Sequence, residues 1–289
     1  MAKKNSRVIL VTGATGHQGG AVLRKLRERG FPVRALTRDP DQDKARSLTG
    51  HGTEVVRGDL DDPASLTRAL EGVYGVFSVQ GWSGGGVEGE VRQGIQLADA
   101  AKRSRISHFV YSSVASADRH SGIPHFESKL RIEEHIRGTG MHFTIVRPGF
   151  FMENWLGMRQ QIEQGEVALP LKAETRLQMI AVDDIGGFVT LAFEKPGTYQ
   201  GQTRELAGDE LSMGEIAERL GRAAAREVRY RQVPWDQWEA QVGPELTQMW
   251  RWFEESGYSV DIAKVRQEYP QLTGFDRWLS EHWILKRTA

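Results

Sequence analysis

Cysteine is absent from the 289-residue sequence, which excludes disulfides, thiolate nucleophiles and cysteine-ligated metals and agrees with a reducing compartment. An excess of either charge is also missing. The 38 basic and 38 acidic side chains cancel, so the chain offers no general attraction to nucleic acid. Long apolar runs are lacking too. The four residues Val8 to Val11 give way at once to Thr12 and Gly13, too short a run for a signal-peptide core and far below the roughly 20 residues of a bilayer span. These absences point to a cytoplasmic protein with no membrane partner and no direct nucleic-acid partner. No two histidines stand four residues apart, so the spacing of a zinc-binding helix is missing and no metal is expected. Repeats, low-complexity tracts and Pro/Ser-rich linkers are likewise absent.

What is present is an alternation. Short β-rich runs occur at Val8–Thr12, Pro32–Thr37, Thr53–Arg57, Gly75–Val79, His108–Ser112 and His142–Val146. Amphipathic helical segments such as Gln18–Arg29 and Glu90–Ser104 separate them. That order predicts right-handed βαβ units: an α/β fold with a doubly wound parallel sheet over residues 1–150. Residues 151–289 differ, carrying seven of the eight tryptophans. They read as a smaller, mostly helical region that folds with the first and forms one wall of a cleft, its indoles packing helices against sheet. Within it, Ser212–Gly221 resembles the first helix of a helix-turn-helix. The residues behind it, Glu227–Val233, alternate like a strand instead of forming a recognition helix.

The strongest motif is Val8-Ile9-Leu10-Val11-Thr12-Gly13-Ala14-Thr15-Gly16-His17-Gln18-Gly19-Gly20. It follows a buried strand and opens a helix, the context in which such glycines bind a dinucleotide. Gly13 permits the tight turn, Gly16 lets backbone approach a pyrophosphate, and Gly19 lets helix and strand pack closely. The helix N-terminus adds free N–H groups and a positive dipole. No Lys-Ser/Thr pair follows, which argues against a P-loop hydrolase. The second strand ends Ala35-Leu36-Thr37-Arg38, with a guanidinium where an NAD site usually has a carboxylate. A planar cation suits the 2′-phosphate of NADP(H). Asp59 is positioned either to accept from the adenine amino group or to cap the following helix.

Taken together, Thr12–Gly19, Thr37–Pro40, Gly58–Asp62, Glu90–Gly94, His125–Lys129, Val146–Pro148 and Phe151–Asn154 resemble the NmrA-like family of atypical short-chain dehydrogenase/reductases. The resemblance implies an NADP-binding Rossmann domain with a small C-terminal region. By position it assigns Gly13, Thr15, Gly16, His17 and Gln18 to the pyrophosphate and Arg38 to the 2′-phosphate. Asp59 and Leu60 would flank adenine, and Gln80, Gly81 and Trp82 would pass over the ribose. Lys129 would reach the nicotinamide ribose, and Phe151, Glu153 and Asn154 would line the nicotinamide end. Gln42 stands where family members often carry a second basic residue, which weakens the preference for NADP over NAD.

Short-chain reductases usually carry Tyr-x-x-x-Lys on a helix, and here the pair reads His125 and Lys129. Residues four apart share a helix face, and an imidazole can act as acid or base; His125 can equally cap the helix or pack beside Phe126. Ser112 and Ser113 follow the fifth strand, where the superfamily often keeps a catalytic hydroxyl, and Ser113 is taken as the candidate. His17 reads as a positional variant inside the loop. The glycine-rich run Gly81–Gly89 is expected to order when nucleotide binds. Two readings result: a reductase of a small carbonyl or quinone-like acceptor, and a sensor that reports the NADPH/NADP ratio to a regulatory protein.

Overall fold

A computed structural model describes residues 6–50, 52–81 and 85–283. The expected alternation appears as β1 (Ile9–Val11), α1 (His17–Glu28), β2 (Val33–Thr37), α2 (Asp43–Arg46), β3 (Thr53–Arg57), α3 (Pro63–Ala69), β4 (Gly75–Ser78), α4 (Gly86–Arg103), β5 (His108–Ser112), α5 (Pro124–Gly138) and β6 (Phe143–Pro148). The chain continues through β7 (Phe150–Phe151), α6 (Asn154–Gly157), α7 (Arg159–Glu163), β8 (Glu166–Leu169), β9 (Arg176–Ile180), α8 (Val182–Glu194), α9 (Pro196–Tyr199) and β10 (Gln202–Leu206). It closes with β11 (Asp209–Ser212), α10 (Met213–Ala224), β12 (Arg229–Gln232), α11 (Trp235–Val242), α12 (Pro244–Glu255), α13 (Ile262–Glu268) and α14 (Phe275–His282).

Seven strands join in the order β10-β6-β5-β4-β1-β2-β3, and every pairing from β6 to β3 is parallel. This is the doubly wound arrangement of a Rossmann fold, with its strand order reversing between β1 and β4, where such sheets bind ligands. Leu10, Val76, Phe109 and Ile145 from the strands share one core with Leu66, Leu97, Ile132 and Ile136 from α3, α4 and α5.

The chain divides into two compact units. The first holds residues 1–118, 124–147 and 182–204; the second holds 119–123, 148–181 and 205–289. One crossing between the units falls near residue 150, where the sequence placed its single division, and residues 182–204 return to the first unit. The reason is α8, which packs along α1. Gly186 lies so close to Ala21 that a Cβ would stand 2.9 Å from its carbonyl, and Asp183 pairs with Arg24 at 2.6 Å.

In the second unit, β11-β9-β7 and β12-β8 form two small sheets. Its core gathers Trp155, Trp278, Phe275, Phe253 and Ile216. Packing thus accounts for the indoles of Trp155 and Trp278, both fully buried. Helix α10 starts with a reciprocal capping box between Ser212 and Glu215, and the next element is β12, parallel to β8. The segment is a helix-then-strand unit, as the alternation behind Gly221 suggested.

One buried histidine gives the first unit an acid-sensitive point. Thr144 Oγ1 donates to the Tyr199 carbonyl at 2.8 Å, so it accepts from His108 Nε2 at 2.8 Å. That leaves Nδ1 as an enclosed acceptor without a partner among the described residues. Burial, with His142 nearby, depresses the His108 pKa to about 4 from an ordinary 6.5. A histidine whose folded pKa is depressed contributes stability above its ordinary value, and this is lost as pH falls through the window from about 6.5 to about 4. His108→Gln keeps an N–H for Thr144 and removes the basic nitrogen. The urea midpoint should then fall less steeply between pH 6.5 and 4.5 than in the parent; an unchanged slope removes His108 as its source.

Candidate functional site

The end of β1 is held open by a threonine. Thr12 Oγ1 donates to the Val79 carbonyl at 3.0 Å and accepts from the Val79 amide at 2.8 Å. This ties the tips of β1 and β4 together where the strand order reverses. Beyond it the chain turns at Gly13, whose φ of 60° favours glycine. At Gly19 a Cβ would stand 2.2 Å from the Gly13 carbonyl oxygen, so only glycine allows α1 to start this close to the strand. Gly16 precedes α1 with no side-chain cap and no acidic residue in the first turn. The first-turn N–H groups are thus left for an anion. Thr15, Gly16 and His17 are exposed at this point, and Gln18 is half-buried.

A polar cavity of about 350 Å³ opens beside the loop, lined among others by Gly13, Thr15, Arg38, Asp59, Leu60, Gln80 and Gly81. The structure thus gathers seven of the residues expected at the cofactor into one place. Trp82 lies outside the described residues, as do 83 and 84. Arg38 is exposed, and no hydrogen bond or ion pair engages its guanidinium among the described residues. Asp39, the obvious neutralising neighbour, instead accepts from the Asp41 amide at 3.0 Å. Helix capping falls to Asp62, whose carboxylate accepts from the Ala64 amide at 3.0 Å. Asp59 accepts from the Asp61 amide at 3.0 Å and stays on the cavity wall. The Asp61 carboxyl is held below its usual range, chiefly by the hydrogen bond from Arg92 and then by that from Gln93. Gln80 is buried, donates to Ser78 Oγ at 2.9 Å, and keeps its Oε1 enclosed without a donor among the described residues. An orphaned acceptor on a polar wall, an unpaired guanidinium and a loop closed to side chains all fit a dinucleotide with a 2′-phosphate.

The tandem serines separate clearly. Ser112 Oγ donates to Gln18 Oε1 at 2.6 Å, which fastens β5 to the glycine loop. Ser113 is 3% exposed, and its hydroxyl has no partner among the described residues. His125 and Lys129 do share α5, one turn apart. His125 is buried and meets Phe126 edge-on at 5.1 Å. Lys129 is committed elsewhere: its Nζ lies 2.6 Å from Glu90 Oε1, and Ser128 Oγ donates to Glu90 Oε2 at 2.6 Å. The Glu90 side chain is wholly enclosed. Glu90 is the residue that sequence reasoning missed. Its signal was a carboxylate on the apolar face of α4, in line with Gly94 and Leu97. His125, Lys129 and Ser113 do not line the polar cavity beside the glycine loop. In the Val-Arg-Pro motif, Arg147 is buried and pairs with Glu133 through two bonds of 2.8 Å and with Asp118 at 2.7 Å. That arginine is structural.

Phe151, Glu153 and Asn154 belong to the second unit. Phe151 pairs with Ile180 across β7 and β9. Glu153 accepts from the Trp278 indole N–H at 3.0 Å. Asn154 lines a second, largely apolar cavity of about 570 Å³. Among the described residues no group of three or more His, Asp or Glu lies together as a metal would require, and no helix is long and apolar enough to cross a membrane.

Comparison with known proteins extends these observations. A model of the NmrA-like family matches residues 5–279. The NAD(P)H azoreductase of Xenophilus azovorans is 37% identical over 225 residues, covering 77% of this chain and 76% of that protein. Among solved structures, the negative transcriptional regulator NmrA in complex with NADP superposes with a TM-score of 0.81 at 21% identity, covering 96% of each chain. An NADPH-dependent quinone oxidoreductase from Escherichia coli, complexed with NADPH, has a TM-score of 0.81 at 23% identity, covering 96% of this chain and 100% of that one. These two likenesses concern the fold.

Proposed function

The chain belongs to the NmrA-like family, and from that premise we propose that it is an NADP(H)-dependent oxidoreductase that reduces a small carbonyl, quinone-like or azo acceptor. The observation that carries the reading is the unpaired Arg38 beside a polar cavity whose wall also holds an orphaned Gln80 acceptor. Bound there, the nicotinamide nucleotide supplies a hydride. This chain's residues do the rest. The first-turn N–H groups of α1, with Thr15, hold the pyrophosphate. Arg38 grips the 2′-phosphate with its planar fork, Asp59 and Leu60 flank the adenine, and Gln80 accepts from a ribose hydroxyl. Lys129 donates to the nicotinamide ribose, and His125 donates the proton that accompanies reduction.

A second reading has a specific observation behind it. The usual tyrosine is replaced by a buried His125, and the Lys129 ammonium is paired with Glu90. That arrangement suits a nucleotide sensor acting through a partner protein, and one solved neighbour is a transcriptional regulator.

Steady NADPH oxidation against quinones, azo compounds and aldehydes separates the two. Tight NADPH binding with no turnover on any of them sinks the reductase and leaves the sensor. If turnover is found, His125→Ala should lower its maximal rate ~100-fold or more with NADPH affinity nearly intact, because a proton donor acts mainly in the transition state. A rate that survives the change transfers the role to Ser113 or solvent.

A further inference from the structure

The second unit holds its own cavity, of about 570 Å³, a size that encloses a two- or three-ring organic molecule. Its walls come from β8, β12 and the helical pair α11 and α12, with Phe150, Trp238 and Trp250 as the aromatic side. Trp238 meets Trp250 edge-on at 5.6 Å, and Phe150 meets Trp250 at 6.1 Å. Such rings present faces and edges to a flat guest.

Charge is what distinguishes this cavity. Among the described residues Arg231 is the one ionisable side chain on its wall, and Glu166 neutralises it through two contacts of 2.7 and 2.9 Å. The same hydrogen bonds hold the Glu166 carboxyl below its usual range. The remaining polar lining consists of side-chain amides, including Asn154, Gln161 and Gln237. None of these three makes a side-chain hydrogen bond among the described residues. Amides supply donors and acceptors without net charge. An ionic guest would surrender its hydration for an apolar wall and a cation already satisfied. A neutral guest with a carbonyl or hydroxyl loses little and finds amides to bond.

We propose that the second unit binds a neutral, flat aromatic molecule bearing a hydrogen-bonding oxygen, and that it discriminates against anionic analogues of the same size. The proposal deepens the acceptor side of the reductase reading, and its test uses no nucleotide.

Calorimetry on the full chain without NADPH would compare 2-acetylnaphthalene with naphthalene-2-sulfonate. The ketone should bind with 1:1 stoichiometry and the sulfonate at least about tenfold more weakly, the scale set by leaving a charge without its hydration or partner. Leu246→Trp places a larger side chain on the cavity wall and should weaken the ketone by a similar factor. Should that variant misfold, Trp238→Phe serves instead. It replaces the wall's indole by a smaller phenyl ring and should weaken the ketone severalfold relative to the parent. Equal affinities for the two probes, or ketone binding indifferent to both substitutions, would overturn the proposal. Ketone binding in a protein that oxidises no NADPH sinks the reductase and leaves this site standing. Turnover of a quinone by a protein that binds neither probe sinks this site alone.

Discussion

Arg38→Glu is expected to weaken NADPH binding by roughly 3 kcal/mol, more than a hundredfold, while NADH is much less affected. Hydrogen bonds to a charged group are worth about 1.5–3 kcal/mol, and the new carboxylate adds repulsion against a phosphate dianion. The expectation is sharp because Arg38 has nothing else to do. No ion pair holds its guanidinium among the described residues, and Asp39 is turned to the Asp41 amide. It is the smallest of the several causes that lower the Asp61 pKa. Removing it therefore costs the fold little, and an unchanged melting temperature would make the affinity change readable. Because the residue is exposed, the loss should shrink as salt rises, since screening weakens both the original attraction and the new repulsion. In NADH a hydroxyl replaces the phosphate and can donate to the introduced glutamate. Calorimetry giving equal losses for both nucleotides would remove Arg38 from the 2′-phosphate site and reopen the choice that Gln42 leaves weak.

Strand positions were legible because buried parallel strands are short apolar runs between turn residues. β3 and β5 begin and end where the runs Thr53–Arg57 and His108–Ser112 do. The glycine loop was legible for a steric reason that one position shows: a Cβ at Gly19 would collide with Gly13 backbone. Helix α4 starts four residues before the run that begins at Glu90, a start the sequence hides because Gly86 and Gly89 have poor helix propensity, with the Gly89 amide bonding to the Gly85 carbonyl at its start. The return of residues 182–204 was not legible, because it depends on where α8 finds α1, and Gly186 announces a close approach without naming its partner. Glu90, Glu133 and Arg147 share the opposite lesson. Each puts charge at a buried position and is half of a pair whose other half sits on a different element, Lys129 for Glu90 and each other for Glu133 and Arg147.

Glu90 also changes what a substitution at Lys129 can reveal. Lys129→Ala should destabilise the chain by about 3–5 kcal/mol, the usual cost of removing one member of a buried ion pair. The Glu90 side chain is fully enclosed and Lys129 is 14% exposed, so solvent cannot replace the lost ammonium. Ser128 Oγ remains on one carboxylate oxygen but supplies no charge. A weakened NADPH affinity in this variant would therefore mix a damaged fold with a missing ligand contact. Glu90→Gln in the same chain separates them, because a neutral amide needs no cation and can still accept from Ser128. The double variant should recover most of the lost urea stability. If Lys129 also donates to the nicotinamide ribose, using one of its three N–H donors while another holds Glu90, NADPH affinity should stay about tenfold below the parent even after stability returns. Recovery of both together would confine Lys129 to holding α4 against α5, and would tip the balance towards a nucleotide-reporting protein that lacks the catalytic pair.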